Sequence, residues 1–351
     1  MGSPAVAELP LASQIQMLTA HAPAALLQPD APCRACRGGQ RRVRRGPATV
    51  SSATAFAPLP STAAAEDLRI ATAFERQFKP YGSQLERAFE SWARTVRGNS
   101  EVLEVRHPTG VQQAVGYVQG LTAQAWHEVE AFSWASVLEE HAGEIQAELQ
   151  AALTPGGNAR VSKTGTNVWS PAARADAMAY GPQWRTLALQ DRGKWDAANS
   201  PLFPRTVQLV RDISGVPSLE CFFARQAPGS GIKPHSDYNN FIMTAHLGLV
   251  VPEGKCWMKV GDSTRQWRNG KLLIFDTSFV HETYNEADTD RHVLLIRFWH
   301  PEVTPLERTA IQFLTDCVDD SSDKGLLAAS KAADKRLEKL MKPQSKGFGK
   351  R

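Results

Sequence analysis

The sequence predicts a mainly β fold with flanking helices, in which an antiparallel sandwich or barrel follows a helical N-terminal region. Three features of the chain predict it. Helical periodicity prevails over residues 66–153, short period-two segments separated by turn signals prevail from Leu219 to Trp299, and a helical period returns from Leu326 to Met341. A chain of 351 residues is also long enough to bury a full core.

The excess positive charge belongs to the N-terminal segment. The formal net charge is +4, but residues 1–65 hold six basic residues and two acidic ones, which leaves 34 of each sign in the remainder. The remainder therefore offers no net positive field for nucleic acid. No apolar run approaches the ~18 residues that a membrane span needs. We expect neither a nucleic-acid partner nor a membrane span.

Residues 1–65 are rich in Ala, Pro, Ser, Thr and Arg and poor in acids. This composition is typical of a transit peptide rather than a folded element, and residues 53–58 resemble the Ala-Phe-Ala-Pro element of plastid-targeting leaders. We expect a disordered, transit-peptide-like leader and favour a plastid, with the mitochondrion or cytoplasm as alternatives. The other interpretation is a disordered extension that carries no targeting signal. Cys33 and Cys36 have no second pair at zinc spacing, so we expect no metal there.

Residues 66–133 are predicted to be a helical N-terminal region, because apolar residues such as Phe74, Phe78 and Phe89 recur at roughly helical spacing. A second helical stripe begins at Trp134 and ends before Pro155. We expect these stripes to pack against the later sheets. Residues 309–351 are predicted to be a helical basic tail in contact with solvent.

The β domain is predicted over residues 134–308. Asn269-Gly270 is a strong hairpin signal between two of its strands. The predicted strands are Trp184 to Leu189, Glu220 to Arg225, Phe241 to Val251, Cys256 to Val260, Thr264 to Trp267, Leu272 to Phe275, His281 to Tyr284 and His292 to Trp299. This number and spacing of short strands indicates the sandwich or barrel.

The candidate catalytic residues are His235, Asp237 and His281, which have the residue types of a mononuclear non-haem iron site. His235 and Asp237 are two residues apart, so on extended backbone their side chains point to the same face. His281 follows a predicted strand after a short loop. Two imidazoles and one carboxylate leave open positions for an organic chelator and O2, which suits Fe(II) better than a thiolate-rich zinc site.

Two further residues are candidates for binding the chelator. Arg291 opens the last predicted strand of the barrel, where its guanidinium can pair bidentately with a carboxylate. Because no acid lies in Val293 to Trp299, a ligand carboxylate is the attractive partner; a surface arginine that caps a turn is the alternative. His246 points to the same face of its strand as Thr244. It either contacts the chelator or is a core histidine.

The motifs of this region closely resemble the aspartyl/asparaginyl β-hydroxylase family over about Trp134 to Arg308. The resemblance rests on an ordered set of segments: Pro228-Gly229, Pro234-His235, His246 to Pro252, Trp267 to Asp276, Ser278 to Glu282, Arg291 and Trp299 to Pro305. The family consists of Fe(II)- and 2-oxoglutarate-dependent oxygenases, so the resemblance implies a double-stranded β-helix (jelly-roll, cupin-like) core. It also implies that His235 and His281 bind iron, that Arg291 holds the distal carboxylate of 2-oxoglutarate and that His246 lies near its other end.

The sequence differs from the family pattern at four positions. The best-known animal member has glycine in place of Asp237 and lacks the third protein ligand, whereas this chain has all three residues. Thr244 replaces a second arginine that binds 2-oxoglutarate. Ala224 stands in place of a serine that binds this cosubstrate, and Ala188 in place of a tryptophan on the substrate side.

The predicted function is that of a 2-oxoglutarate-dependent dioxygenase with Fe(II), 2-oxoglutarate and O2. We expect it to hydroxylate an unactivated C–H bond of an amino acid, a peptidyl Asp/Asn-like residue or a related small molecule, with release of succinate and CO2. Two alternatives stay open. One is a cupin-like metalloenzyme that does not use 2-oxoglutarate, and the other is a non-catalytic β-sandwich binding module.

Overall fold

The computed structural model describes residues 56–97, 102–154, 170–171, 179–180 and 184–342. Most of the predicted leader, with Cys33 and Cys36, and the end of the predicted tail lie outside these residues. In the described part of the chain, no helix combines the length and the apolar character that a membrane span requires.

Helices flank the sheets on both sides in the sequence. Shorter 3₁₀ turns cover Lys79–Leu85, Val129–Ala131 and Ser200–Leu202, and a π-helical turn covers Leu209–Ile213. The α-helices are α1 (Ala65–Phe78), α2 (Glu86–Val96), α3 (Ser133–Glu140), α4 (Ala142–Leu153), α5 (Pro204–Gln208), α6 (Pro305–Asp319) and α7 (Asp323–Met341).

Every strand predicted from Trp184 onward is present, and together they confirm the mainly β class. The structure adds strands that we did not expect, both before Trp184 and after it, where Lys194–Trp195, Ser230–His235 and Tyr238–Asn239 are the additional ones. The strands are β1 (Leu103–His107), β2 (Gly110–Gly116), β3 (Trp126–His127), β4 (Ser170–Pro171), β5 (Ala179–Tyr180), β6 (Trp184–Asp191), β7 (Lys194–Trp195), β8 (Ser218–Gln226), β9 (Ser230–His235), β10 (Tyr238–Asn239), β11 (Ile242–Val250), β12 (Cys256–Val260), β13 (Ser263–Gln266), β14 (Leu272–Asp276), β15 (His281–Asn285) and β16 (Arg291–Trp299).

Two sheets form the double-stranded β-helix core. The larger has the order β3-β14-β11-β16-β8-β6-β4, with β7 beside β6, and the smaller has the order β13-β12-β15-β9-β5. From β8 to β16, the chain alternates between the two sheets, except for β10 and for the hairpin β12–β13, whose two strands both lie in the smaller sheet. This alternation is the jelly-roll arrangement. A third sheet, β1-β2-β10, lies at its edge.

Side-chain alternation gives the larger sheet one apolar and one functional face. In β11, Met243, Ala245 and Leu247 join the core that α3 and α4 form on the outer face. Thr244 and His246 point the opposite way, into the space between the sheets. The helices therefore cover one face and leave the other to line a cavity.

The N-terminal region is not wholly helical, which corrects the prediction for residues 66–133. β1, β2 and β3 lie within it. Gln112 and Ala114 are buried in β2, where Ala114 pairs with Leu103 of β1 and with Tyr238 of β10. Gln and Ala are good helix formers, so pairing on both sides outweighs local propensity in this segment.

Packed structure also begins before the expected end of the leader. Phe56 is buried, with ring centroids 5.1 Å from Phe74 and 5.0 Å from Phe89. Residues 56–65 therefore are not a disordered leader in this structure. The prediction for residues 1–55 lies outside the described residues.

The predicted solvated tail is instead part of a second core. α6 buries Ile311, Phe313 and Leu314, and α7 buries Leu326 and Ala333, against α1 and α2. The C-terminal helices therefore close onto the helices that precede the barrel. The basic segment 343–351 lies outside the described residues.

Candidate metal centre and its cavity

The three candidate metal ligands meet at one end of the barrel. His235 is the last residue of β9 and His281 is the first of β15, and these two residues are direct partners in the antiparallel pairing of the strands. Their ring centroids are 4.1 Å apart. Asp237 follows two residues later, and one potential ligand atom from each of the three side chains lies within 4.8 Å of the others. This spacing fits a single metal ion.

Backbone carbonyls orient both imidazoles. Nδ1 of His235 lies 2.7 Å from the carbonyl oxygen of Lys233, and Nδ1 of His281 lies 2.9 Å from that of Phe279. Because a carbonyl only accepts, the proton is on Nδ1 and Nε2 carries the lone pair that a metal needs. Burial, with a smaller effect of His235, lowers the pKa of His281 to about 3. The ring is therefore neutral at physiological pH.

Asp237 is held by an arginine that we did not predict. Its Oδ2 lies 3.1 Å from Nη2 of Arg297, and its backbone N–H donates to the carbonyl of Thr277 at 2.9 Å. Burial alone would raise the pKa of this carboxyl group, but Arg297 and the two imidazoles bring it below its ordinary value. The carboxylate is thus ionised and correctly placed to bind a cation.

A serine fixes the loop that carries Asp237. The hydroxyl of Ser236 lies 2.6 Å from the carbonyl oxygen of Gln113 and 3.0 Å from that of Ser278. These contacts connect the loop to β2 and to the turn before His281. The unexpected strand β2 therefore supports the metal centre directly.

Arg291 is buried rather than exposed at a turn. Its side chain is 1% exposed, and its guanidinium carbon lies 4.2 Å from the ring centroid of Trp267. Nε and Nη1 have no hydrogen-bond partner in the described structure, and burial lowers the pKa of Arg291 to about 10. Burying a cation without an acidic partner costs free energy, so the guanidinium of Arg291 is suited to pair with an anion.

His246 connects Arg291 to the cavity. Its ring stacks on Trp267 at a centroid distance of 5.8 Å and meets Phe275 edge-on at 5.1 Å. Nδ1 has no hydrogen-bond partner in the described residues. Burial, reinforced by Arg291, lowers the pKa of His246 well below its ordinary value. The residue both packs in the core and presents an unused polar atom.

The three ligands and His246 line a cavity of about 350 Å³ between the sheets. This volume is at the low end of the ~300–1,000 Å³ typical of small-molecule sites. Apolar side chains form much of the wall. They are Trp184, Ala188, Phe222, Ile232, Met258, Phe275 and Leu295. Arg291 does not line this cavity itself; it contacts Trp267, on which the lining residue His246 stacks.

Arg297 and Glu220 are cavity residues that sequence reasoning missed. Arg297 pairs in register with Thr244 on one side and with Glu220 on the other, and its Nη1 lies 3.5 Å from Oε1 of Glu220. The period-two spacing from Arg291 to Arg297 could have placed both arginines on the inner face. The substituted positions Thr244 and Ala188 line the same cavity.

Comparison with known proteins gives one family. The family model described as Aspartyl/Asparaginyl beta-hydroxylase matches residues 139–301. The aspartyl/asparaginyl beta-hydroxylase of Mus musculus is 32% identical over 131 residues, which are 36% of this chain and 18% of that protein. The ornithine lipid ester-linked acyl 2-hydroxylase of Rhizobium tropici is 30% identical over 176 residues, 50% of this chain and 60% of that protein. The chain thus spans under two thirds of each relative.

A solved structure, a prolyl-4-hydroxylase of Pseudomonas putida, is 21% identical, with a TM-score of 0.29. It covers 48% of this chain and 98% of that one.

Proposed function

We propose an activity for this chain from the premise that it belongs to the aspartyl/asparaginyl β-hydroxylase family. The activity is that of an Fe(II)- and 2-oxoglutarate-dependent hydroxylase. Two features found together carry the proposal. The three metal ligands His235, Asp237 and His281 are all in place, and the buried Arg291 lacks an acidic partner among the described residues. The substrate class follows the sequence prediction: an amino acid, a peptidyl residue or a related small molecule.

The polar atoms inside the barrel fit both Fe(II) and 2-oxoglutarate. Nε2 of His235, Nε2 of His281 and the Asp237 carboxylate would hold the metal. Beyond them, the described structure leaves several buried polar atoms without hydrogen-bond partners: Oγ1 of Thr244, Nδ1 of His246, Nε1 of Trp267, Nε and Nη1 of Arg291 and Nε of Arg297. An elongated dicarboxylate between the metal and Arg291 would supply acceptors for several of these donors.

When bound, Fe(II) with 2-oxoglutarate and O2 supplies the oxidising power that converts a C–H bond into an alcohol, with release of succinate and CO2. The residues of this chain do the rest. Arg291 would pair with the distal carboxylate, Arg297 keeps Asp237 oriented, and the apolar wall around Phe222 and Met258 excludes water from the reacting carbon.

Arg291→Ala tests the use of 2-oxoglutarate. We expect the Kd for 2-oxoglutarate to rise by about 10-fold to 100-fold, since a charge-assisted pair is lost, while the Kd for Fe(II) stays unchanged. Anaerobic titration, followed by the visible absorption of the Fe(II)–2-oxoglutarate chelate, measures both constants. Succinate formation should fall in parallel.

Arg225→Ala is the matched control. Arg225 lies on the adjacent strand β8, and its Nε lies 2.7 Å from Oδ2 of Asp290, away from the cavity. This variant should bind 2-oxoglutarate like the unchanged protein. Equal 2-oxoglutarate affinity in the Arg291 variant would show that Arg291 does not hold the distal carboxylate. Failure of the unchanged, Fe(II)-loaded protein to bind 2-oxoglutarate would favour a metalloenzyme that does not use it, and failure of the unchanged protein to bind Fe(II) would favour a binding module.

A further inference from the structure

The wall of the cavity away from the histidines is acidic. Four acidic residues line the cavity. Among the described residues that line it, Arg297 is the only one with a basic lysine or arginine side chain. The acids are Asp191, Asp196, Glu220 and Asp237. If the proposed metal and cosubstrate are bound, the dication, Asp237, the 2-oxoglutarate dianion and Arg291 sum to zero. Arg297 is then the one cation beside three further carboxyl groups, so acidic residues outnumber basic ones on this part of the wall.

Glu220 shares Arg297 with the metal ligand Asp237. The side chain of Glu220 is 9% exposed, and Nη1 of Arg297 lies at the long distance of 3.5 Å from its Oε1. Arg297 makes its closer contact, 3.1 Å, with Asp237. Arg297 therefore compensates Glu220 incompletely, and only one guanidinium separates Glu220 from the metal ligand.

Gln190 adds an unused acceptor to the same wall. Its side chain is 5% exposed, lines the cavity, and has an Oε1 atom that is buried without a hydrogen-bond partner in the described structure. Gln190 pairs in register with Cys221, the residue after Glu220. A buried carbonyl oxygen without a donor costs free energy, so this position is suited to a ligand that brings N–H groups.

Asp191 and Asp196 extend the acceptor wall toward solvent. Burial raises the pKa of Asp191. Burial also raises the pKa of Glu220, although Arg297 acts in the opposite direction. The cations close to Asp191 are Arg192, which is paired with Asp319, and Lys194, which is exposed. Oδ1 of Asp196 already accepts from the backbone of Ala198 and Asn199. Glu220, Gln190 and Asp191 are therefore the acceptors that a ligand would use.

We propose that this wall binds a protonated amine, so that the substrate of the hydroxylase proposed above carries an ammonium group a few bonds from the carbon that reacts. An ammonium group brings three N–H donors and one positive charge, which match the acceptors and the charge of the wall. The apolar residues Trp184 and Phe222 beside it would contact a carbon chain. The substrate class rests on the proposed function, but the amine preference of the wall can be measured without turnover.

The test compares three six-carbon probes that differ only in their head group: n-hexylamine, 1-hexanol and hexanoate. Isothermal titration calorimetry with the Mn(II)-loaded protein, with and without 2-oxoglutarate, gives their affinities in the absence of oxidation. We expect the amine to bind at least about 10-fold more tightly than the other two. Equal binding of the alcohol, tighter binding of hexanoate or no binding of the amine would overturn the proposal.

Two variants locate the binding. Glu220→Gln and Asp191→Asn should each weaken amine binding by about 10-fold and leave alcohol binding unchanged; Asp191 is only half-buried, so its variant remains informative if Glu220→Gln reduces stability. Asp262→Asn, in an exposed turn outside the cavity, is the control and should bind the amine normally. Unchanged amine affinity in both cavity variants would refute the assignment.

The same measurements separate this proposal from the proposed function. Arg291→Ala should lose 2-oxoglutarate affinity without losing the amine preference. If the protein does not bind 2-oxoglutarate but prefers the amine, the hydroxylase proposal fails and the amine site stands. If the protein binds 2-oxoglutarate but shows no preference for the amine, the amine site fails and the hydroxylase proposal stands.

Discussion

Arg297 lies between two carboxylates, Asp237 toward the metal centre and Glu220 toward the acidic wall. The metal-ligand types were readable from the sequence, because His235 and Asp237 have strand spacing. The role of Arg297 was not, because its partners lie on other strands and on the loop after β9. Cross-strand neighbours depend on strand order and register, which a single sequence does not provide.

We expect Arg297→Met to lower the free energy of unfolding by about 3–5 kcal/mol, because it leaves two buried carboxylates without their cation. Urea denaturation measures the loss. Adding Glu220→Met should restore part of it, since one of the two uncompensated charges is then gone. If Arg297→Met alone is as stable as the unchanged protein, the ion pairs of Arg297 are not needed for folding.

His246→Phe separates the two interpretations of this histidine. Phenylalanine keeps the stack on Trp267 but removes Nδ1, which has no partner among the described residues. We expect the Kd for 2-oxoglutarate to rise by about fivefold to tenfold, the value of one hydrogen bond, with little change in stability. The chelate titration described for Arg291 measures it. An unchanged Kd would make His246 a core residue only.

The turn between β14 and β15 positions His281, and a buried acid organises it. Oδ1 of Asp276 accepts from the backbone N–H of Ser278 at 2.9 Å and from its hydroxyl at 2.5 Å, and Oδ2 accepts from Gln112 at 3.3 Å. Burial nevertheless raises the pKa of Asp276 from 3.8 to about 7. The turn therefore contains a carboxyl group that titrates in the folded state near neutral pH.

This shift predicts a pH dependence of stability. The folded protein keeps the Asp276 proton up to about pH 7, whereas the unfolded chain loses it near pH 3.8. The stabilising contribution is complete below pH 3.8 and declines as the pH rises to about 7, by at most about 1.4 kcal/mol per pH unit. Asp276→Asn should remove this decline from urea denaturation curves. The exposed Asp288→Asn should retain it, and an identical slope in both variants would contradict the assignment.

The element predictions failed where local preference and pairing disagree. β2 contains Gln and Ala at positions that pairing with β1 and β10 fixes as strand. α6 differs from the prediction only at its start. The predicted helical tail begins at residue 309, whereas the helix begins at Pro305, in the segment assigned to the β domain. Thr304 and Glu307 form a capping box there, a signal that is visible in the sequence.

At the scale of the whole molecule, the barrel could be predicted from strand spacing and the second core could not. Phe74, Phe78 and Phe313 meet in that core, although α1 and α6 flank the barrel in the sequence. Each helix shows an apolar face on its own, but the sequence does not reveal which faces pair. The predicted solvated tail was wrong for this reason.

Phe313→Ala should lower the free energy of unfolding by about 3–5 kcal/mol, because a fully buried aromatic side chain is removed. Leu327→Ala on α7 is the control, since Leu327 is 55% exposed and should cost little. Thermal and urea unfolding measure both. Metal affinity of the folded Phe313 variant should be unchanged, because the second core does not line the cavity. Equal stability of the two variants would contradict this account.

The packing of α1 and α2 against α6 and α7 also affects how the protein folds during its synthesis. Arg87 of α2 bonds to Glu307 of α6, which is 220 residues further along the chain. During translation, the phenylalanine-rich surfaces of α1 and α2 leave the ribosome long before α6 and α7 exist to cover them. The nascent chain therefore carries exposed apolar helices through the synthesis of the entire barrel, and this is the interval in which a chaperone would be needed most.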